Sequence, residues 1–94
     1  MADSISVLSS TGQVHSSKCQ LVGMIITYTG ASGGKATFDD SVGGSGTKLV
    51  EVVAGPYSPV IVFFGERFYP LFSTGMYLTL GSPGMSATLW VRQL

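Results

Sequence analysis

His15 is the single histidine among 94 residues, and it stands beside Ser16 and Ser17. A neutral imidazole next to a hydroxyl is the starting point for nucleophilic acyl chemistry, because the ring can take the serine proton. That chemistry also needs an acid to orient the ring and a nucleophile elbow at a strand-to-helix turn, and no such elbow is seen. A lone histidine in serine-rich sequence reads as a surface or structural residue. An enzyme built on His15 would need a pocket with an acid or hydroxyl in reach. Cys19 opens an apolar run, which reads as a buried thiol rather than a nucleophile.

Asp39 and Asp40 are adjacent. On a strand, neighbours point to opposite faces, so the two cannot form a paired-carboxylate acid/base site. At a strand end they read as acceptors for backbone N–H groups of a turn. A calcium loop would need several more oxygen ligands at ordered spacing. The segment Gly30-Ala-Ser-Gly-Gly-Lys35 invites comparison with a phosphate-binding loop. The first required glycine is Thr29, the residue after Lys35 is Ala36, and a strand pattern follows where a helix should. Gly44-Ser-Gly46 lacks the third glycine of a dinucleotide fingerprint. Glu66-Arg67 reads as a solvated turn pair. The reading is therefore non-enzymatic, with no catalytic residue, no metal and no cofactor.

The aromatic residues carry more information. Trp90 is out of phase with Leu89 and Val91, and Tyr77 is out of phase with Met76 and Leu78. With the aliphatic side inward, Tyr77, Trp90 and Arg92 project outward. These residue types are enriched at protein–protein contacts. Arg67, Phe68, Tyr69 and Phe72, in the segment Arg67–Phe72, join them as candidate interface residues. A sugar-binding platform is the weaker reading, because the chain contains no asparagine to orient sugar hydroxyls.

The elements that must position these residues are strands. Gly75–Leu94 holds two alternating apolar runs around a Ser-Pro-Gly punctuation, the pattern of a β-hairpin with a longer loop. Ser4–Leu8 alternates, with Ile5 and Val7 as the inward candidates. Cys19–Thr29 is apolar on both faces, which marks a strand covered twice or one that carries an interface. Gly23 in its middle suggests a bulge or a close backbone approach. Lys35–Asp40 reads as a strand with Ala36 and Phe38 inward. Thr47–Ala54 and Val60–Phe64 follow as strands. Arg67–Phe72 reads as a short edge strand or ordered loop.

Gly or Pro interrupts every helical candidate. The fold class expected is all-β: a small antiparallel β-sandwich, jelly-roll-like, of about seven or eight short strands without substantial helix. A single domain over residues 1–94 is expected.

Composition narrows the partners. Charged residues make up 11% of the chain, against about 25% in typical domains. The formal net charge is zero, which removes the footprint that nucleic-acid binding requires. No apolar stretch approaches the roughly 20 residues of a membrane span, and no secretory signal opens the sequence. One cysteine permits no internal disulfide. A small domain without such staples must gain its stability elsewhere, and subunit assembly is a candidate.

The layout as a whole resembles small all-β structural proteins of tailed-bacteriophage virions. The matching residues are Cys19-Gln-Leu-Val-Gly-Met-Ile-Ile26, Ala36-Thr-Phe-Asp39, Gly46-Thr-Lys-Leu49, Phe72-Ser-Thr-Gly-Met-Tyr-Leu-Thr-Leu80 and Ser86-Ala-Thr-Leu-Trp-Val91. The resemblance implies a virion protein synthesised in the bacterial host cytoplasm. Layout does not separate a lattice role from one at the neck, tail or fibre; the expectation is a capsid cement or decoration protein working as a homo-oligomer, with a trimer among the candidates. The partners would be the major capsid protein or neck and tail proteins. The alternative is a tail, neck or fibre module that binds a host glycan or receptor through loops Gly30–Gly34 and Ser41–Gly46.

Overall fold

The computed structural model describes residues 3–30, 33–55 and 59–94. Nine strands form: β1 (Asp3–Leu8), β2 (Gly12–His15), β3 (Cys19–Tyr28), β4 (Gly34–Asp40), β5 (Thr47–Ala54), β6 (Val60–Phe63), β7 (Leu71–Phe72), β8 (Met76–Leu80) and β9 (Met85–Gln93). One 3-10 turn spans Glu66–Phe68. Every strand pairing is antiparallel. One sheet runs β1-β9-β3-β6, with β7 added beside β3, and the other runs β2-β8-β4-β5. Apart from the β4–β5 neighbours and the short β7, successive strands alternate between the sheets. This is the jelly-roll form of a β-sandwich.

The core lies between the sheets. From the first sheet Leu21, Met24, Ile26, Ala87, Leu89 and Val91 point inward, each at most 1% exposed. Ala36, Phe38, Met76 and Leu78 meet them from the second sheet, completely buried. The period of two along β8 and β9 sets this arrangement. The two strands do not pair with each other, as a hairpin reading of Gly75–Leu94 requires. They belong to opposite sheets, and Gly81–Gly84 is the corner between them. Their aliphatic sides face one core, which β3 and β4 also fill. Gly84 holds the corner with φ +88°, a conformation that glycine adopts without strain.

β3 shows why alternation looked broken. Leu21 pairs with Val91, yet Gly23 pairs with Trp90, so one extra residue enters the strand between them. This bulge switches the phase. Leu21, Met24 and Ile26 then share the inner face, while Gln20, Ile25 and Thr27 share the outer one.

Two further expectations change. Ile5 and Val7 face outward, 63% and 70% exposed, because their partners Trp90 and Thr88 lie on the outer side of β9. Phe72 is completely buried; it pairs with Cys19 on the core side of β3 and is not an interface residue.

Candidate interface on the outer face of the five-stranded sheet

Register places four residues in one row across the outer face: Ile5 on β1, Trp90 on β9, Gly23 on β3 and Phe63 on β6. The next row is Val7, Thr88, Ile25 and Ile61. Ile5, Val7, Ile61 and Phe63 are each 56% exposed or more. Trp90 and Ile25 are half-buried among them. Scattered exposed aliphatics are ordinary on a protein surface, but a contiguous patch marks a contact site.

Trp90 owes its partial burial to Phe63. Their ring centroids lie 5.0 Å apart with planes tilted by 59°, a favourable aromatic geometry. Gly23, which stands between them in the row, makes this possible. A Cβ at Gly23 would overlap the Phe63 ring.

Polar rows bound the patch at both ends. At one end Arg92 donates from Nε to Asp3 Oδ1 at 2.8 Å and from Nη2 to Asp3 Oδ2 at 3.2 Å. This fork-to-fork geometry holds the Asp3 carboxyl below its ordinary range and the guanidinium above its own. The Arg92 guanidinium also stacks on Tyr69, 5.2 Å from the ring centroid. Gln20 continues this row on β3, and the exposed apolar Leu71 ends it on β7. At the other end the hydroxyls of Thr27 and Ser86 share a 2.8 Å hydrogen bond. An apolar centre with a polar rim is the anatomy of a protein–protein contact.

The sequence-predicted interface residues divide among four places. Trp90, Arg92 and Tyr69 come together on this face. Arg67 and Phe68 lie on the 3-10 turn that leads toward it, with Phe68 75% exposed. Tyr77 points outward as expected but from the opposite sheet, where it pairs with Asp39 and Gln13 and packs over Gly44. Phe72 is in the core. The sequence reading missed Ile5, Val7, Ile25, Ile61 and Phe63. For Ile25 the signal was the double-sided apolar pattern of β3, which the bulge and this face together explain.

The residues singled out for chemistry have structural surroundings. His15 Nδ1 lies 3.1 Å from the Ser17 carbonyl and 3.3 Å from the Ser17 N–H, and 3.4 Å from the Ser17 hydroxyl. Asp40 Oδ1 accepts hydrogen bonds from the N–H groups of Thr74 at 2.8 Å and Gly75 at 3.4 Å. Those donors, Thr74 foremost, hold its carboxyl below the usual range. Asp39 is on the outer side of the second sheet, 5% exposed, and its Oδ1 has no hydrogen-bond partner among the described residues. Cys19 is fully buried, and desolvation followed by the nearby Asp40 charge pushes its thiol up to about 11. Among the described residues no three His, Cys, Asp or Glu side chains converge on a common point.

A shallow depression of about 270 Å3 lies between Ser9–Thr11 and Leu80–Pro83. Thr11 Oγ1, on its lining, accepts from the Leu80 N–H at 2.9 Å. Among the described residues no ionisable side chain lines it. Of the two loops suggested for ligand binding, Ser41–Gly46 is pinned internally. Gln13 Nε2 donates to the Ser41 carbonyl at 3.0 Å, and Gln13 Oε1 accepts from the Gly43 N–H at 2.9 Å. Residues 31 and 32 of the other loop lie outside the described residues. Comparison with protein-family models, curated proteins and solved structures finds no match for this chain.

Proposed function

We propose that this chain is a non-enzymatic structural subunit of a tailed-phage particle. It acts as a capsid cement or decoration protein by burying the outer face of its five-stranded sheet against neighbouring virion proteins. One observation carries the reading: the two central rows of that face hold four large apolar side chains more than half exposed, with the charged pair Asp3–Arg92 at the margin. A protein with so few ionised groups is poorly served by leaving such a face in water. Binding only the assembled lattice stabilises that state by mass action.

The test is particle binding. Particles assembled without the subunit are titrated with wild-type protein and with Trp90→Ala. The variant is expected to lose about 2 kcal/mol or more of binding, as a central aromatic anchor does, and to leave the particles less heat-resistant. Unchanged occupancy and heat resistance would remove the outer face from the contact. Specific binding to one glycan on an array, through the loops, would replace the reading with host recognition.

A further inference from the structure

Every open sheet presents edges with unpaired N–H and C=O groups, and proteins blunt them with short strands, bulges, charges or proline. Among the described residues the edge strands are β1, β6 and the two-residue β7 in one sheet and β2 and β5 in the other. β2 has four residues and a register shift between Gln13 and His15. β5 carries the exposed charges Lys48 and Glu51 and a bulge of its own at Leu49. β6 has four residues and begins directly after Pro59. β1 has no bulge or proline, and its one charge stands at its first residue. It runs six residues, Asp-Ser-Ile-Ser-Val-Leu, in unbroken register with β9. Among the described residues nothing pairs with its outer side. Its one charge, Asp3, is already taken by Arg92.

We infer that the free edge of β1 is a strand-pairing site, and that its occupant is β1 of a second copy of this chain. The edge asks for an extended segment with apolar residues alternating on one side and no charge in its middle. β1 itself meets that demand. An antiparallel pair centred on Ser6 sets Ile5 opposite Val7 of the second copy, twice over, and Ser6 opposite Ser6. The two Asp3 carboxylates then lie about six residues, roughly 20 Å, apart along the strands, beyond a Debye length at physiological salt. The chain's zero net charge adds no long-range repulsion.

The two-fold axis is normal to the sheet, so both apolar faces stay on the same side. The row Phe63, Gly23, Trp90, Ile5 runs on into Val7, Thr88, Ile25, Ile61 of the second copy. The result is one continuous sheet with a doubled apolar face. The inference deepens the subunit reading by giving its self-association a geometry, but it stands on the edge of β1 and needs no particle.

The test uses the purified full chain alone, so its failure leaves the particle-binding reading untouched. Sedimentation velocity is expected to show a concentration-dependent monomer–dimer equilibrium. Val7→Lys, at an exposed position, is expected to weaken the dimer at least about tenfold by putting a charge against Ile5. Ser6→Cys gives a second measurement. Directly opposed residues in an antiparallel pair have Cα atoms about 4.5–5.5 Å apart, within reach of a disulfide. Oxidised Ser6→Cys is expected to form a covalent dimer readily, while Ser4→Cys alone does not and a mixture of Ser4→Cys with Leu8→Cys does. A monomer at every concentration, a dimer indifferent to Val7→Lys, or Ser6→Cys cross-linking no faster than Ser45→Cys would each overturn the inference.

Discussion

Phe63 reaches Trp90 across an intervening strand, with 5.0 Å between the ring centroids. The residue between them in the register is Gly23. The contact therefore depends on a missing side chain as much as on two present ones. Glycine inside a strand is weakening by itself, and here the overlying ring offsets that weakness by covering the bare backbone.

Gly23→Ala is expected to destabilise the fold by about 1–3 kcal/mol, the range for overpacking. The new methyl must displace Phe63 from the indole. Chemical denaturation measures the loss. In a Phe63→Ala background the same substitution is expected to cost much less, because the two positions are coupled. Equal losses in both backgrounds would show that the strain lies in the bulge backbone rather than under the ring.

Phe72 and Phe68 are four residues apart and have opposite roles. Phe72→Ala is expected to cost about 3–5 kcal/mol of stability, as for a fully buried aromatic. Phe68→Ala, at an exposed position, is expected to stay within about 0.5 kcal/mol. Thermal unfolding of the two variants checks both values. A large loss at Phe68 would mean that the 3-10 turn is packed more tightly than its exposure indicates.

Cys19 should be inert in the folded protein. Its thiol is buried and its pKa is raised from 9.0 to about 11, so little thiolate exists at pH 8. Iodoacetamide is expected to modify it slowly in native buffer and fast in denaturant. The shift also has a stability consequence. A proton held more tightly in the folded state makes stability fall as pH rises from about 9 toward 11. Cys19→Ser would remove that slope.

The acid limb works in the opposite sense. The fold lowers the carboxyl pKa of Asp3 and Asp40 from the ordinary 3.8. The stability these groups contribute is present above that value and is lost as pH falls through the folded one. Asp3→Asn and Asp40→Asn are each expected to flatten the acid side of the pH–stability curve. NMR titration of the two carboxyls reads the direction of each shift independently.

Much of the fold was legible in the sequence because strand period is local. Ala36 and Phe38 point inward as their alternation requires, and Gly23 marks the bulge it suggested. Pairing is not local, and there the reading failed. The runs either side of Ser82-Pro83 look like hairpin partners, yet four residues between sheets and four within one leave the same trace. For that reason Tyr77 and Trp90, both correctly placed outward, end on opposite sides of the molecule. Ile5 and Val7 were misassigned because an alternating strand does not reveal which of its sides is wet. On the other side of β1 only Leu8, which packs against the core, stands beside two serines. Gln13 left no signal at all. Its bonds to the carbonyls of Ser41 and Met76 and to the Gly43 N–H exist only once β2, β8 and the loop after β4 have met.

The placement of β9 has a kinetic consequence. It lies between β1 and β3, yet it is synthesised after both, and the Arg92–Asp3 pair spans 89 positions. The five-stranded layer therefore cannot zip from one end as the chain emerges from the ribosome. β1 and β3 must wait apart, with the apolar flanks of β3 unshielded, until the strand that joins them arrives. Non-local pairing of this kind makes folding slow and the waiting state prone to aggregate. Expression yield should accordingly respond more to temperature and chaperone supply than to native-state stability.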